Sequence, residues 1–354
     1  MAVIVGTITS AQNDAYSADK PILLSRNLLE DSTLDVTGGA GPESISACWR
    51  STSSSSDHLP LAISGGTANT DPWQNPQKAF DRSINAFTAP LNSDDAFGPL
   101  GTHSYYKHCF IARINPNTSD EPIDSIVIGS HNLNQIDLGT STHGFKVTVH
   151  FSDVPDFSSY EQVVQWNVTN RTNFINKRLV ALLTSTYSNV GYIQVVFSIA
   201  SGASTPLPAP QIGEIFVGPR RQLSRRPDTE SFDTETTENI IGSFSSKSGV
   251  HSRYAISRGR ALRSPKFYPS GDALEGTTDL YGFNDSATFE LFWKEIDYGA
   301  KPFFYLPSPF TKADDAYFMY SEKTEFPSTM MGGLTEREIE YDFREVAPYL
   351  SSEE

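Results

Sequence analysis

The sequence predicts a mainly β protein with two domains: an antiparallel jelly-roll sandwich, then a smaller β-sandwich or barrel domain with one packed helix. Three observations favour this class. The chain has 354 residues, more than the roughly 250–300 at which a single core usually stops growing. Ser, Thr and Asn are abundant, 24 Gly and 22 Pro are spread along the chain, and long helix-forming runs are missing, which favours strands joined by turns. The composition also changes sharply after residue 219.

Eight stretches in the first part of the chain have the residue types expected of strands. They are 44–50, 105–114, 123–129, 144–152, 161–167, 178–183, 192–199 and 211–217. Turn signals separate them, which predicts an antiparallel sandwich or jelly roll. In 144–152, the apolar Val147 and Val149 alternate with Thr148 and His150. That alternation predicts one buried and one exposed face.

The stretch QIGEIFVGP at 211–219 marks the predicted domain boundary. It carries apolar residues on both faces, as in a strand that is covered on both sides. Pro219 ends it because proline lacks a donor for the strand ladder. The predicted organisation is an N-terminal arm (1–26), a β-sandwich (27–219), a linker (220–239) and a second β domain (240–354).

One amphipathic helix is predicted in the second domain, over 285–298. Its apolar residues are spaced at i, i+3, i+4 and i+7, namely Phe289, Phe292, Trp293 and Ile296, which is the pattern of a helix with one buried face. Asp285 is the expected N-cap and Gly299 the expected end. The remaining strand-like stretches of this domain are 231–244, 250–268, 302–306, 316–320 and 338–346.

The order of landmarks in the first domain resembles that of discoidin-type, galactose-binding-like domains. The landmarks are Trp49, the AFDRS segment at 79–83, SIVIG at 125–129, VTVHFSD at 147–153 and IGEI at 212–215. The resemblance covers about residues 27–219 and implies a galactose-binding-like sandwich. Secreted members often join their two ends by a disulfide, and this chain has no cysteine at either end.

Two segments of the second domain resemble the C-terminal regions of minor or distal tail proteins of long-tailed bacteriophages. They are PFFYLP at 302–307 and YDFREV at 341–346. The resemblance implies a non-enzymatic structural component of a tail tip or baseplate. It further implies a homo-oligomeric ring, with a hexamer as the expected size, and other tail proteins as partners. The implied location is the virion tail, after assembly in the host cytoplasm.

The charge, the apolar stretches and the cysteine count argue against several other classes of protein. The formal net charge of −15 argues against a general nucleic-acid binder, which needs a basic face. The N-terminus lacks the positive region of a signal peptide, and no stretch approaches the roughly 18 apolar residues of a membrane span. The two cysteines, Cys48 and Cys109, are too few for a disulfide framework. We therefore expect no signal peptide and no membrane span.

The sequence offers little catalytic chemistry, and no enzyme activity, cofactor or metal is expected. It contains no P-loop, HExxH, GxSxG or CxxC pattern. Adjacent acids such as Asp94 and Asp95 are usually solvated, and nothing fixes the separation that glycoside hydrolysis requires. His103 and His108 next to Cys109 make a weak metal motif, and polar residues at a strand end explain them better.

The arginines after the boundary are the first candidate site: Arg220, Arg221, Arg225 and Arg226. Three interpretations remain open: a solvated linker, an interface with an acidic partner surface in an assembly, or a contact with nucleic acid inside a ring. Arginine is favoured at interfaces because its planar guanidinium binds carboxylates with two parallel hydrogen bonds.

The second candidate site is a carbohydrate site at Trp73, with Asp71 and Asn75 nearby. An indole in a polar loop can stack on a sugar, and it can equally pack beneath its own loop. The alternative function is therefore a soluble carbohydrate-binding, lectin-like protein, and a glycosidase is the third possibility.

Overall fold

A computed structural model gives the fold. It describes residues 21–30, 47–51, 73–74, 76–82, 89–90, 105–114, 121–129, 131, 145–154, 157–168, 179–200, 212–222, 235–245, 251–267, 289–306, 317–323, 325, 328–330 and 337–346. The predicted mainly β class is confirmed, because strands joined in antiparallel pairs make up most of this part of the chain.

The described strands and helices follow in chain order. The strands are β1 (Ile22–Leu24), β2 (Ala47–Ser51), β3 (Trp73–Gln74), β4 (Ala89–Pro90), β5 (Tyr105–Arg113), β6 (Ile123–Ile128), β7 (Phe145–Ser152), β8 (Glu161–Val168), β9 (Leu179–Tyr187), β10 (Tyr192–Ala200), β11 (Ile215–Gly218), β12 (Arg221–Gln222), β13 (Glu235–Ser245), β14 (His251–Arg263), β15 (Lys266–Phe267), β16 (Phe303–Leu306), β17 (Tyr317–Ser321), β18 (Ser328–Met330), β19 (Arg337–Glu340) and β20 (Phe343–Glu345). A 3-10 turn covers Pro76–Phe80, and α1 is described over 289–295.

The chain divides into two compact units. The first comprises Met1–Ala15 and Asn27–Pro219, and the second comprises Tyr16–Arg26 and Arg220–Glu354. One division therefore falls between Pro219 and Arg220, where the composition changes. The second unit also takes a segment from the other end of the chain.

The first unit is built on two antiparallel sheets. The larger has the strand order β2-β5-β10-β7-β8, and the smaller has the order β11-β6-β9. Apolar residues of both sheets belong to a single buried cluster, to which Trp166, Phe197, Ile126 and Val217 contribute. Each of these side chains is at most 1% exposed. Burial of this kind stabilises a fold by roughly 25 cal/mol per Å² of apolar surface.

Strand β7 is covered on both faces, so the prediction of one exposed face is wrong. Thr148 and His150 are completely buried, as are Val147 and Val149 on the opposite face. The ring of His150 also makes an edge contact with Tyr160, at a centroid distance of 5.5 Å. Alternation in a sequence shows which side chains are apolar, but it does not show whether the polar side chains are exposed. In β7 the polar side chains are buried as well.

The second unit contains a seven-stranded sheet with the order β12-β1-β16-β17-β20-β14-β13 and a three-stranded sheet with the order β15-β19-β18. Strand β1 lies inside the larger sheet, where Ile22 is in register with both Gln222 and Leu306. All three residues of β1 are completely buried. The predicted N-terminal arm (1–26) therefore contains a strand of the second unit, which is too short, at three residues, to show a period in the sequence.

The predicted linker also contributes to this sheet. Its residues include β12 and the first part of β13, so 220–239 is not a simple connection between the units. The linker was predicted because this stretch is rich in charged and polar residues, and such a composition does not exclude strands.

Helix α1 packs as its spacing predicts. Phe289, Phe292, Trp293 and Ile296 are all at most 5% exposed. The helix is described to residue 295, and the predicted N-cap Asp285 lies outside the described residues. The turn that follows the helix contains Gly299, whose φ is +94° and whose Cβ, if present, would lie 2.8 Å from the backbone oxygen of Lys323. Only glycine fits both the left-handed backbone and the space at this turn. No described helix is long and apolar enough to cross a membrane.

Tyr341 lies at the centre of the aromatic core under α1. Its ring stacks on Phe289 and Phe343 at centroid distances of 5.6 and 5.0 Å and meets the edge of Phe292 at 5.7 Å. Tyr341 is completely buried, and its hydroxyl oxygen has no hydrogen-bond partner in the described part of the chain. Burial raises the pKa of this hydroxyl.

Replacing Tyr341 by Phe is expected to stabilise the second unit, by about 1 kcal/mol, because it removes a buried hydroxyl that makes no hydrogen bond while keeping the stacked ring. Chemical unfolding of both proteins measures the difference. Tyr298→Phe is the matched control, since Tyr298 is 60% exposed and the change should be neutral there. A loss of more than about 1 kcal/mol in Tyr341→Phe would show that the hydroxyl has a partner.

Candidate functional site

Arg221 is held within the second unit. Its guanidinium donates from Nη2 to Glu295 Oε1 at 2.5 Å and from Nε to Oε2 at 3.4 Å. Ser25, which follows β1, donates its hydroxyl to the same Oε2 at 2.5 Å. The side chains of Arg221 and Glu295 are 22% and 8% exposed. This network joins β12, α1 and the end of β1, so Arg221 contributes to the stability of the second unit.

Arg220 is partly buried as well, and burial lowers its pKa to about 10. The guanidinium therefore stays protonated at neutral pH while it is partly removed from water. Arg225 and Arg226 lie outside the described residues. An interface role for these arginines stays a prediction, and the structure adds an intramolecular role for Arg221.

Further basic residues follow later in the chain, and four of them, Arg253, Arg258, Arg260 and Arg263, belong to β14. Residues 239–271 contain six Lys or Arg and no Asp or Glu, in a chain with 42 acidic residues. The register places Arg263 opposite Glu235 and Arg260 opposite Glu238. Opposite charges at directly facing positions favour strand pairing. The inner end of the hairpin, where 235–238 pair with 260–263, therefore has equal numbers of acidic and basic residues. The outer part, residues 239–259, has basic residues and no acidic ones.

The predicted carbohydrate site is described only at Trp73. This residue belongs to β3 and is in register with Pro90 of β4. Asp71 and Asn75 lie outside the described residues, so the site stays a prediction. The weak metal motif at His103 and His108 is likewise untested. Among the described residues, no group of three or more His, Cys, Asp or Glu side chains could hold a metal ion.

A buried polar network joins the two ends of the 27–219 segment of the first unit. Asn27 Nδ2 donates to Glu214 Oε1 at 3.0 Å and to the carbonyl oxygen of Ile215 at 2.9 Å. Asn27 Oδ1 accepts the backbone N–H groups of Leu29 and Val217, at 3.2 and 3.1 Å. Asn27 is completely buried. One amide therefore joins the start of the 27–219 segment to the last strand of that segment.

The AFDRS and IGEI segments meet in the same network. The backbone N–H of Arg82 donates to Glu214 Oε2 at 2.9 Å, and the Arg82 guanidinium forms a bidentate ion pair with Glu30. Glu214 is 1% exposed. Burial raises its pKa well above the usual carboxyl value; the nearby Arg82 charge opposes this shift and the Glu30 charge adds to it. We call Asn27, Glu30, Arg82 and Glu214 the polar clasp.

Sequence reasoning did not find the polar clasp. Glu214 was counted as one position in an apolar strand, although a charged residue between apolar neighbours in a doubly covered strand has to be buried and needs partners. An acidic residue in the otherwise apolar strand at 211–219 was therefore the feature of the sequence that could have indicated a buried polar site. The partners are 132 and 187 positions away in the sequence, so no local pattern names them.

No family description matches the chain, and no curated protein matches it.

Proposed function

We propose that this protein is a structural component of a phage-like tail tip or baseplate. In this proposal, copies of the chain form a ring that links the tail tube to peripheral or host-binding parts. The PFFYLP and YDFREV segments support it at the level of sequence. The division into a sandwich and a second β unit is compatible with it, since each unit can present a separate surface to neighbours.

The observation that carries the proposal is the separation of charge along the chain. The chain has a net charge of −15, and residues 239–271 contribute +6. The remainder therefore carries −15 − 6 = −21. Copies with one strongly basic element and an otherwise acidic surface attract each other in one relative orientation and repel in most others. That property suits an ordered assembly.

Mass photometry of the full chain tests the proposal. We expect one oligomer with a defined number of copies at low ionic strength, and a shift to smaller species at about 1 M salt, where the screening length falls to about 3 Å. A protein that stays monomeric over a wide range of concentration and salt would contradict the proposal.

Two variants separate assembly from stability. Arg225→Ser with Arg226→Ser removes two charges of the predicted interface and should reduce the oligomer without lowering the melting temperature. Arg221→Ser breaks the ion pair with Glu295 and should lower the melting temperature, because it leaves a largely buried carboxylate with fewer partners. A glycan array run on the same preparation tests the carbohydrate-binding alternative.

A further inference from the structure

Over most of its length, the β13–β14 hairpin pairs with no third strand among the described residues. The two strands are in register from Glu235↔Arg263 to Ser245↔His251. Strand β14 pairs with β20 only at Leu262 and Arg263, and β13 is the last strand in the sheet order. Over 251–261, about 35 Å at the usual rise of a strand, no third strand among the described residues pairs with the hairpin, which leaves two edges open in that part of the structure.

A ribbon of this kind is poorly stabilised by itself. Two strands without a third are marginally stable in water, and each open edge presents N–H and C=O groups that can pair with another strand. Short edges, prolines and bulges usually limit such pairing. Strand β13 has 11 residues and no proline, and its two register shifts lie near Ile240. Its outer half is therefore suited to pairing with another chain.

The charge of the ribbon restricts what can pair with it. Arg253 is in register with Ser243, and Arg258 lies within the region of the register shifts. The strand register sets no acidic residue opposite either position within the hairpin, since 239–271 contains no Asp or Glu. Two ribbons placed edge to edge would bring basic residues together. The favourable partner is a different, acidic part of another molecule, and the remainder of this chain carries −21.

We propose that the outer part of the β13–β14 hairpin docks on a second copy of this chain. The open edge of β13 adds to an exposed strand edge of that copy, and the basic composition of 239–271 favours an acidic surface there. Because the hairpin meets a different surface from its own, the contact is head-to-tail and repeats around a ring. This inference rests on the proposed function and names the surface through which the copies assemble.

Hydrogen–deuterium exchange of the full chain tests the strand pairing. Assembled and dilute, dissociated protein are compared over peptides from 235–245, because new backbone hydrogen bonds slow amide exchange. We expect exchange in this segment to slow by about tenfold or more on assembly. Assembly with unchanged exchange over 235–245 would overturn the hairpin contact and leave the proposed function standing. A protein that never assembles would overturn both.

A charge-reversal pair tests the role of the arginines. Arg253→Glu with Arg258→Glu should raise the concentration needed for assembly by at least about tenfold, since like charges then face each other at the contact. The control is Lys294→Glu with Lys301→Glu, the same change of charge at two exposed positions of the second unit. If the hairpin variant assembles as the control does, the contact is wrong. Exchange over 289–295 checks that both variants remain folded.

Discussion

Deleting residues 1–26 is expected to prevent the second unit from folding, although those residues are remote in sequence from the rest of it. The deletion removes β1, which separates β12 from β16 in the seven-stranded sheet. Three completely buried side chains, Ile22, Leu23 and Leu24, are lost together with the ladder hydrogen bonds on both sides. Deletion of one large apolar side chain from a core costs about 2–5 kcal/mol, so the loss of three is comparable with the whole stability of a typical domain, about 5–15 kcal/mol.

Amide exchange over 289–306 measures the result, because that segment contains α1 and β16. Rapid exchange there is expected in the deleted protein, while peptides from β7 and β10 in the first unit keep their protection. Deleting only residues 1–15 is the matched control, since it keeps β1. A peptide of residues 16–26 added in trans should partly restore protection. Native protection in the protein without residues 1–26 would show that β1 is dispensable.

Replacing Glu214 by Ala is expected to destabilise the first unit by about 3 kcal/mol or more, because it leaves buried donors without an acceptor. The affected donors are the Asn27 amide and the Arg82 backbone N–H. Gln keeps the volume and one acceptor oxygen, but its amide nitrogen faces a donor. The stability of Glu214→Gln should therefore lie between that of the parent and that of Glu214→Ala. Glu161→Gln is the control, since Glu161 is an exposed carboxylate that accepts from Tyr187.

The same residue predicts a dependence of stability on pH. Because the folded state raises the pKa of Glu214 above its ordinary value of 4.5, the folded state binds this proton more tightly than the unfolded state does. The resulting stabilisation is fully present below pH 4.5 and is lost as the pH rises through the raised pKa. The stability difference between the parent and Glu214→Gln should therefore shrink as the pH rises above 4.5. A difference that is constant or grows would contradict the raised pKa.

Much of the fold is predictable from local patterns, and the reason is visible in particular elements. The helix over 285–298 was recognisable because Phe289, Phe292, Trp293 and Ile296 place four apolar side chains on one face. The strands at 123–129 and 192–199 were recognisable as short apolar runs between turns. In each case the residues that define the element are neighbours in sequence.

What the sequence did not reveal depends on distant residues. Strand β1 has only three residues, and its partners Arg221 and Tyr305 lie about 200 and 280 positions further along the chain, where no local period can indicate them. Glu214 acquires its role from Asn27 and Arg82, which chain topology alone brings together. The basic character of the outer hairpin is visible in the sequence, but its open edges follow from the strand order.

Negative-stain electron microscopy of the purified full chain tests the central claim, that copies of this protein build an ordered assembly, most directly. Closed rings of one diameter and one rotational symmetry are expected at low ionic strength, and the Arg253→Glu, Arg258→Glu variant should give isolated particles under the same conditions. Fields of isolated particles from the unmodified protein, at concentrations where ring proteins assemble, would contradict the claim.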